Sequence, residues 1–470
     1  MSPTELLRAP FEKSLWKGRR VLILGLGQFP QGSGMSAAYQ FAKLGADVRV
    51  TDLKSAKELG SNVRKLKAFK NVKFTLGKHL MKEIDWAELI VANPRVRPDA
   101  KELKRARKNG TPVTSDIALF LDRCPATVVA VTGTRGKSTT ASLIAAILKA
   151  CPKTVWLGGN ILVSPLTFLS NVKSSDVVVL ELSSWQCESL SKTQKAPTVS
   201  VITNLLHDHL NTYDGMDDYA EAKAQIFRHQ QKDDVVVLNA DDAYGKQWIK
   251  EAPSVVRTFG KAAKNDATIK NGWIQFGSQK IFDLRKLQLL GAHNEWNATI
   301  AALASRQAGA GLACIKKGLK TFQGLEHRLQ LVAMKKGIRY VNDTCATTPD
   351  GVIAAMHALK RGADHLWLIM GGQDKQLDYT ELGKAFKKQR TRLGVFLLPG
   401  TASEKIFEEL TANQVAVERV EDLDQAVRRT ASLAVKGDAV VLSPGAASFG
   451  QFKNEFERGA TFIRLVRNIT

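Results

Sequence analysis

Short apolar runs recur along the whole chain, each closed by a glycine, an acidic residue or a turn. Val21–Leu24, Val48–Val50 and Leu89–Ala92 come first, with helical segments between them. Such alternation predicts the strands and helices of a parallel α/β sheet. A second block opens near Thr127 with Val128-Val129-Ala130-Val131-Thr132-Gly133, followed by a helix expected from Lys137 to about Ala150. Strands at Val177–Leu180, Val199–Thr203 and Val235–Leu238 continue it. A third block begins after Gly324 and carries Arg339–Val341, Leu366–Met370, Val395–Leu398 and Ala439–Leu442. The expected fold is α/β in three domains, spanning 1–120, 121–325 and 326–470.

Length agrees, since 470 residues at roughly 100 to 200 per domain give about three. Hydrophobic residues at 44% and charged residues at 24% argue against disorder. The 68 Lys+Arg against 45 Asp+Glu leave a net charge of +23. A field of that sign gathers anions, whether nucleic acid, an acidic membrane surface or small phosphorylated and carboxylated substrates; a solubilised surface is the plainer account. No stretch of 18 apolar residues occurs, so no membrane span is expected, and Met1–Arg20 lacks the apolar core of a secretory signal. Cys124, Cys151, Cys187, Cys314 and Cys345 are scattered with no CxxC pair. They suggest a reducing compartment, with neither a disulfide framework nor a zinc site. A soluble, cytoplasmic protein is the expectation.

In open α/β sheets ligands bind beyond the carboxyl ends of the strands, so chemistry is sought there. Gly25-Leu26-Gly27 follows the first strand and Asp52 ends the second, which invites a nicotinamide reading. The third glycine of that fingerprint is missing, because position 30 is Pro30. A general nucleotide-diphosphate cradle of loop N–H groups fits better. In the second block, Thr132-Gly133-Thr134-Arg135-Gly136-Lys137-Ser138-Thr139-Thr140 joins a buried strand to a helix, the setting in which backbone amides and a lysine wrap a phosphate chain. Val131 stands where the usual pattern has its first glycine. Lys137 would meet the β- and γ-phosphates and the Ser138 hydroxyl would ligate magnesium. Glu181 and His209 follow two later strands, and Glu181 is an oxygen donor suited to that ion; His209 taken alone could equally be a turn residue. Lys223 falls within the apolar stripe Tyr219, Ala222, Ile226 of an expected helix. A lysine facing a core either snorkels or is chemically modified.

Together these residues resemble the Mur ligases. The similarity runs in family order through Gly133 to Thr140, Gly158-Gly159-Asn160-Ile161, Glu181-Leu182-Ser183-Ser184-Trp185-Gln186, Asp208-His209, Tyr219 to Phe227 and Gly291 to Asn297. It continues through Gly324 to Arg328, Asn342-Asp343, Gly371 to Lys375 and Leu442 to Ser448 with Gln451-Phe452-Lys453. The resemblance implies a Rossmann-like N-terminal domain, a central P-loop ATP-binding domain and a Rossmann-like C-terminal domain. It implies an amide ligase of peptidoglycan synthesis that uses ATP to add D-glutamate to UDP-N-acetylmuramoyl-L-alanine through an acyl phosphate.

By that resemblance Gly27, Ser33, Asp52, Asn160 and Ser183 hold the UDP-sugar. ATP falls to Gly133, Thr134, Arg135, Gly136, Lys137, Ser138, Thr139 and Arg328, with Asn294 and Asn297 at the adenine and Asp343 at the ribose; His327 and Arg328 also sit at a hinge. Two magnesium ions are implied, on Ser138, Glu181, His209 and a carbamylated Lys223; Lys137, Glu181, His209 and Lys223 carry the catalysis. Thr347, Lys375 and Ser448 receive the glutamate carboxylates, although Thr348-Pro349 also reads as a helix cap and first residue. The substrates are small molecules, with no nucleic acid and no membrane insertion, and a monomer is expected.

Two positions depart from the family pattern, Cys345 in place of a lysine and Glu455 in place of an aromatic, and Arg135 stands where Asn is common. Losing a cation and gaining an acid near a dicarboxylate leaves L-glutamate, or another amino acid, as an alternative. From another class, a nucleic-acid-binding ATPase would use basic runs such as Lys101 to Lys108, with steep salt dependence. No aromatic residue interleaves that run, so a solvated helix face is the expectation.

Overall fold

The computed structural model describes residues 2–161, 163–207, 212–360, 362–389 and 391–469. They fall into two compact units, Met1–Lys286 with Trp296–Thr321, and Leu287–Glu295 with Phe322–Thr470.

The first unit contains two parallel sheets. One orders its strands Val72–Leu76, Asp47–Asp52, Arg20–Leu24, Leu89–Ala92, Val113–Thr114. The first strand in sequence thus lies between the second and the fourth, and the crevice this creates opens at its carboxyl end, at Gly25. The other sheet runs Val255–Phe259, Val235–Asn239, Val199–Ile202, Thr127–Thr132, Val177–Glu181, Val155–Gly159, again with parallel pairs throughout. Its crevice opens after Thr132, where the glycine-rich loop leads into the helix Lys137–Lys149. A small antiparallel sheet of Thr268–Lys270, Trp273–Phe276 and Gln279–Asp283 follows.

The helix Leu312–Thr321 packs against Lys137–Lys149. Its Gly318 makes this possible, because a Cβ there would stand 2.4 Å from the Cα of Ile147. That close packing corrects one expectation: Cys151 and Cys314, 163 residues apart, form a disulfide. The pairing could not be read from spacing, since it depends on how two helices meet. Cys124, Cys187 and Cys345 are free thiols.

The second unit is a six-stranded sheet ordered Gln330–Lys335, Ile338–Asn342, Ala439–Leu442, His365–Gly371, Arg392–Leu398, Val417–Arg419, parallel except for the first pair. Side chains alternate between two cores. Leu366, Leu368, Val395, Leu397 and Val441 enter one, while Ile369, Phe396, Leu398, Val440 and Leu442 enter the other. Both faces are covered, which is why these strands read as unbroken apolar runs. Among the described residues no helix is long and apolar enough to cross a membrane.

Candidate active site

At the crevice of the first sheet, Gly25 and Gly27 adopt left-handed φ of 89° and 75°. Asp52 braces the loop they form: its Oδ2 accepts from Gly27 N at 3.0 Å and its Oδ1 from Lys54 N at 2.9 Å. Asn62 Nδ2 donates to Gly27 O at 2.8 Å. The helix Ser33–Lys43 starts immediately beneath, and no residue larger than glycine fits at Gly34, where a Cβ would lie 2.1 Å from Gly25 O. Its N-cap is Gly32, which supplies no side-chain cap, so the first amides face the crevice without one. Such a helix end favours anions. Ser33 is half-buried at this end.

The glycine-rich loop of the second sheet is pinned from the neighbouring strand end. Thr203 Oγ1 donates to Arg135 O at 2.7 Å, Asn204 Oδ1 accepts from Arg135 N at 2.9 Å, and Thr134 N donates to Asn204 O at 2.9 Å. Thr203 and Asn204 were not among the expected site residues, although the strand-end rule points to them. Gly136 carries φ of 81° and caps the helix that begins at Lys137. Asn297 lies over it, so a Cβ at Gly136 would be 2.4 Å from Asn297 Oδ1, and Thr140 Oγ1 donates to the same oxygen at 3.3 Å. Ser138 and Thr139 follow in the first turn, half-buried, while Arg135 is exposed.

Two ammonium groups meet on one carbonyl. Lys137 Nζ donates to Gly133 O at 3.0 Å and to Thr134 O at 2.9 Å, and Lys223 Nζ donates to Gly133 O at 3.0 Å. Lys223 sits in the helix Met216–Arg228, 1% exposed, with its ammonium 4.5 Å from the Tyr219 ring centre. The apolar stripe of that helix therefore carries this lysine inward, as its spacing predicts.

Beside the loop, Glu181 pairs in register with Val131. It is buried; its Oε1 accepts from Asn160 Nδ2 at 2.9 Å and its Oε2 has no hydrogen-bond partner. A buried carboxylate oxygen left open is a donor in want of a cation or a proton. Ser183, expected at the UDP-sugar, caps the helix Ser184–Glu188, its Oγ accepting from Gln186 N at 3.2 Å. His209 lies outside the described residues. Among those described, no group of three or more His, Cys, Asp or Glu is placed to hold a metal.

In the second unit a bridge between Gln373 and Ala447 draws two loops together, with Gln373 N donating to Ala447 O at 2.9 Å and the reverse bond at 3.1 Å. Gly372 permits it, since a Cβ there would meet Ala447 O at 2.2 Å. On these loops, Lys375 Nζ donates to Thr347 Oγ1 at 3.1 Å, and Ser448 is buried with its hydroxyl unpartnered. Burial lowers the Lys375 pKa, and the Glu455 carboxylate opposes that shift. Thr348 occupies the N-cap position of Pro349–Leu359 but makes no side-chain cap bond.

Arg458 was not anticipated. Buried to 1% exposure, it donates from Nε to Thr344 Oγ1 at 3.0 Å and from Nη2 to the carbonyls of Thr344 and Ala446. It thereby ties the helix Glu455–Arg467 to the segments bearing Thr347 and Ser448. Burial pushes its guanidinium down to about 10. Asp343 accepts from Leu329 N and from Ser443 Oγ, both at 3.1 Å, and burial pushes its pKa up to about 7. Asn342 Nδ2 and His327 Nδ1 lie 2.9 Å apart, His327 and Leu329 carry left-handed φ, and Arg328 between them is exposed. Asn294 Nδ2 donates to Leu290 O at 2.8 Å.

Three family models match in chain order. A Mur ligase MurD-like N-terminal domain covers residues 19–115, a Mur ligase middle domain 131–305, and a Mur ligase glutamate ligase domain 327–446. A UDP-N-acetylmuramoylalanine--D-glutamate ligase of Roseiflexus sp. (strain RS-1) is 36% identical, with 96% of this chain and 99% of the relative covered. A protein of the same name from Borreliella afzelii (strain PKo) is 34% identical over 96% of this chain and 98% of its own length. Among solved structures, MurF from Acinetobacter baumannii superposes with a TM-score of 0.62 at 17% identity, over 94% of this chain and 93% of that one. MurC from Thermotoga maritima gives 0.60 at 21%, over 95% and 99%. At those identities the solved structures show the fold alone.

Proposed function

This chain belongs to the Mur ligase family, and on that premise we propose that it joins D-glutamate to UDP-N-acetylmuramoyl-L-alanine with hydrolysis of ATP, by way of an acyl phosphate. The observation that carries the chemistry is the phosphate loop with Lys137 at its mouth and the open Oε2 of Glu181 one strand away. A free carboxylate is a poor acyl donor. Phosphorylating it supplies a leaving group, and the protein's task is to bring two anions together.

The loop amides and Lys137 bind and orient the triphosphate. Asn297, held over Gly136, closes that end of the site. Magnesium fits the donor set of Ser138 and Glu181, with His209 and Lys223 as further ligands, and supplies charge neutralisation when bound. Lys223 serves there as a carbamate: its neutral amine adds to carbon dioxide, loses a proton and becomes an oxygen-donor anion. Its burial supports this, since a cation carried into the interior is costly and modification removes that cost. At the acceptor end, Lys375, Thr347 and Ser448 receive the carboxylates of glutamate, a task suited to one cation and two hydroxyls.

Phosphate release measured with UDP-N-acetylmuramoyl-L-alanine, ATP and a panel of amino acids tests the whole proposal. D-glutamate is expected to stimulate release and L-glutamate is not. Stimulation by L-glutamate alone would reassign the acceptor, and no stimulation by any amino acid would overturn the ligase activity.

A further inference from the structure

The loop that follows the strand Leu89–Ala92 packs on the glycines of the first crevice. Asn93 Nδ2 donates to Gly25 O at 3.3 Å, and a Cβ on Gly25 would stand 2.8 Å from Asn93 Cβ and 3.7 Å from Val96 Cγ2. At the far end of this loop, Arg97 reaches a segment 115 residues away. Its Nη2 donates to Thr212 O at 2.9 Å, and its guanidinium carbon lies 5.2 Å from the centre of the Tyr213 ring.

Thr212 and Tyr213 lead into the helix Met216–Arg228, whose N-cap, Gly215, makes no side-chain cap bond. A helix end without a cap takes its place from its neighbours. Tyr244 Oη donates to Asp217 Oδ1 at 2.6 Å from within the second block, and Arg97 supplies a tie from the first. The Tyr213 ring centre is 5.2 Å from that of Tyr219. Tyr219 in turn meets the phosphate loop, its hydroxyl 3.4 Å from Thr134 Oγ1 and its ring centre 4.5 Å from Lys223 Nζ. The two tyrosines are 3% and 1% exposed, so neither ring shifts without displacing the other. Contacts thus run unbroken from the glycines of one crevice to the loop of the other. The joint at Arg97 is also short of bonds: its Nη1 and the Tyr213 hydroxyl are buried with no hydrogen-bond partner among the described residues. Buried donors left unmade cost free energy, so a displacement that satisfies either one is favoured there.

We propose that Arg97 is a positioning residue that couples the two sites: a UDP-sugar seated on Gly25 and Gly27 fixes residues 93–97, Arg97 then fixes Thr212 and Tyr213, and the phosphate loop holds its triphosphate more tightly. The inference rests on the first crevice holding the UDP-sugar and the second holding ATP, and each of those readings has its own binding curve. The probe is β,γ-methylene-ATP, titrated calorimetrically in magnesium buffer into the full chain with and without saturating UDP-N-acetylmuramoyl-L-alanine; the UDP-sugar is also titrated alone. Wild type is expected to bind the analogue at least about fivefold more tightly when the UDP-sugar is present. In Arg97→Ala, each ligand alone is expected to bind within about twofold of wild type, while the gain from the second ligand disappears. A merely structural role would weaken the single-ligand curves and leave the ratio alone. Tyr213→Leu, which removes the ring between Arg97 and Tyr219, is expected to lose the gain as well. If Arg97→Ala fails to fold, Arg97→Met, which keeps the length of the stem, carries the same expectation. A gain preserved in Arg97→Ala, Arg97→Met or Tyr213→Leu would overturn the proposal, and so would a wild type that binds both ligands with no gain. Absence of binding by either ligand alone would instead remove the assignment of that crevice, and the role of Arg97 with it.

Discussion

Lys223 and Asp343 are both ionisable side chains enclosed by the fold, and each has an outcome that can be measured. For Lys223, intact mass in bicarbonate buffer should rise by one carbon dioxide. Lys223→Ala should abolish ligase activity, with partial return on adding a short carboxylic acid such as acetate; full activity in the variant would dismiss the carbamate. For Asp343, the folded protein holds the proton more tightly than the unfolded chain does, with a pKa of about 7 against an ordinary value of 3.8. Its contribution is therefore complete below the unfolded value and is lost as the pH rises from about 4 to about 7, each tenfold difference in proton affinity being worth about 1.4 kcal/mol. Urea unfolding at pH 5 and pH 8 should show wild type losing more stability across that interval than Asp343→Asn. These two residues differ from others in how far the sequence announced them. The amphipathic spacing around Lys223 shows its direction, whereas Arg458 looks like an ordinary charged residue at a helix start. Its burial comes from Thr344 and Ala446, which are brought to it by the fold.

At the scale of elements, legibility follows position within the sheet. Each strand expected from an apolar run, from Val21–Leu24 to Ala439–Leu442, is an interior strand of one of the three large sheets. Val72–Leu76, Val113–Thr114, Val155–Gly159, Val255–Phe259, Gln330–Lys335 and Val417–Arg419 went unread, and they are the edges. An interior strand is buried on both faces along most of its length and so carries an apolar run, while an edge strand shares its faces with water and admits lysine, threonine and glutamate. The loops proposed to bind ligands were legible for a different reason, since their residues are contiguous and their glycines are irreplaceable. Gly136 tests this. Alanine there would need a left-handed φ of 81° and would press on Asn297. Strain of about 1–2 kcal/mol at the start of the helix should raise the KM for ATP about tenfold in Gly136→Ala. Steady-state kinetics with varied ATP would register it, and an unchanged KM would detach that loop from the nucleotide.

Over the whole molecule, the net charge of +23 finds only a modest part of its explanation in the site. Lys137 and Lys375 are the cations proposed to serve anions there, but the run Lys101 to Lys108 shows the commoner fate. Its Lys101, Lys104, Arg105, Arg107 and Lys108 are exposed while Leu103 and Ala106 are buried, so the helix presents a solvated face, without the stacking aromatics of a strand-binding groove. The cross-link between Cys151 and Cys314 acts on a comparable scale, because it makes a covalent ring of the chain between them. A single proteolytic nick anywhere in that ring opens it without parting the polypeptide. On a denaturing gel without reductant the cut protein should still migrate as one full-mass band, and with reductant it should fall into two. Two bands in both lanes would mean that the ring is open in solution.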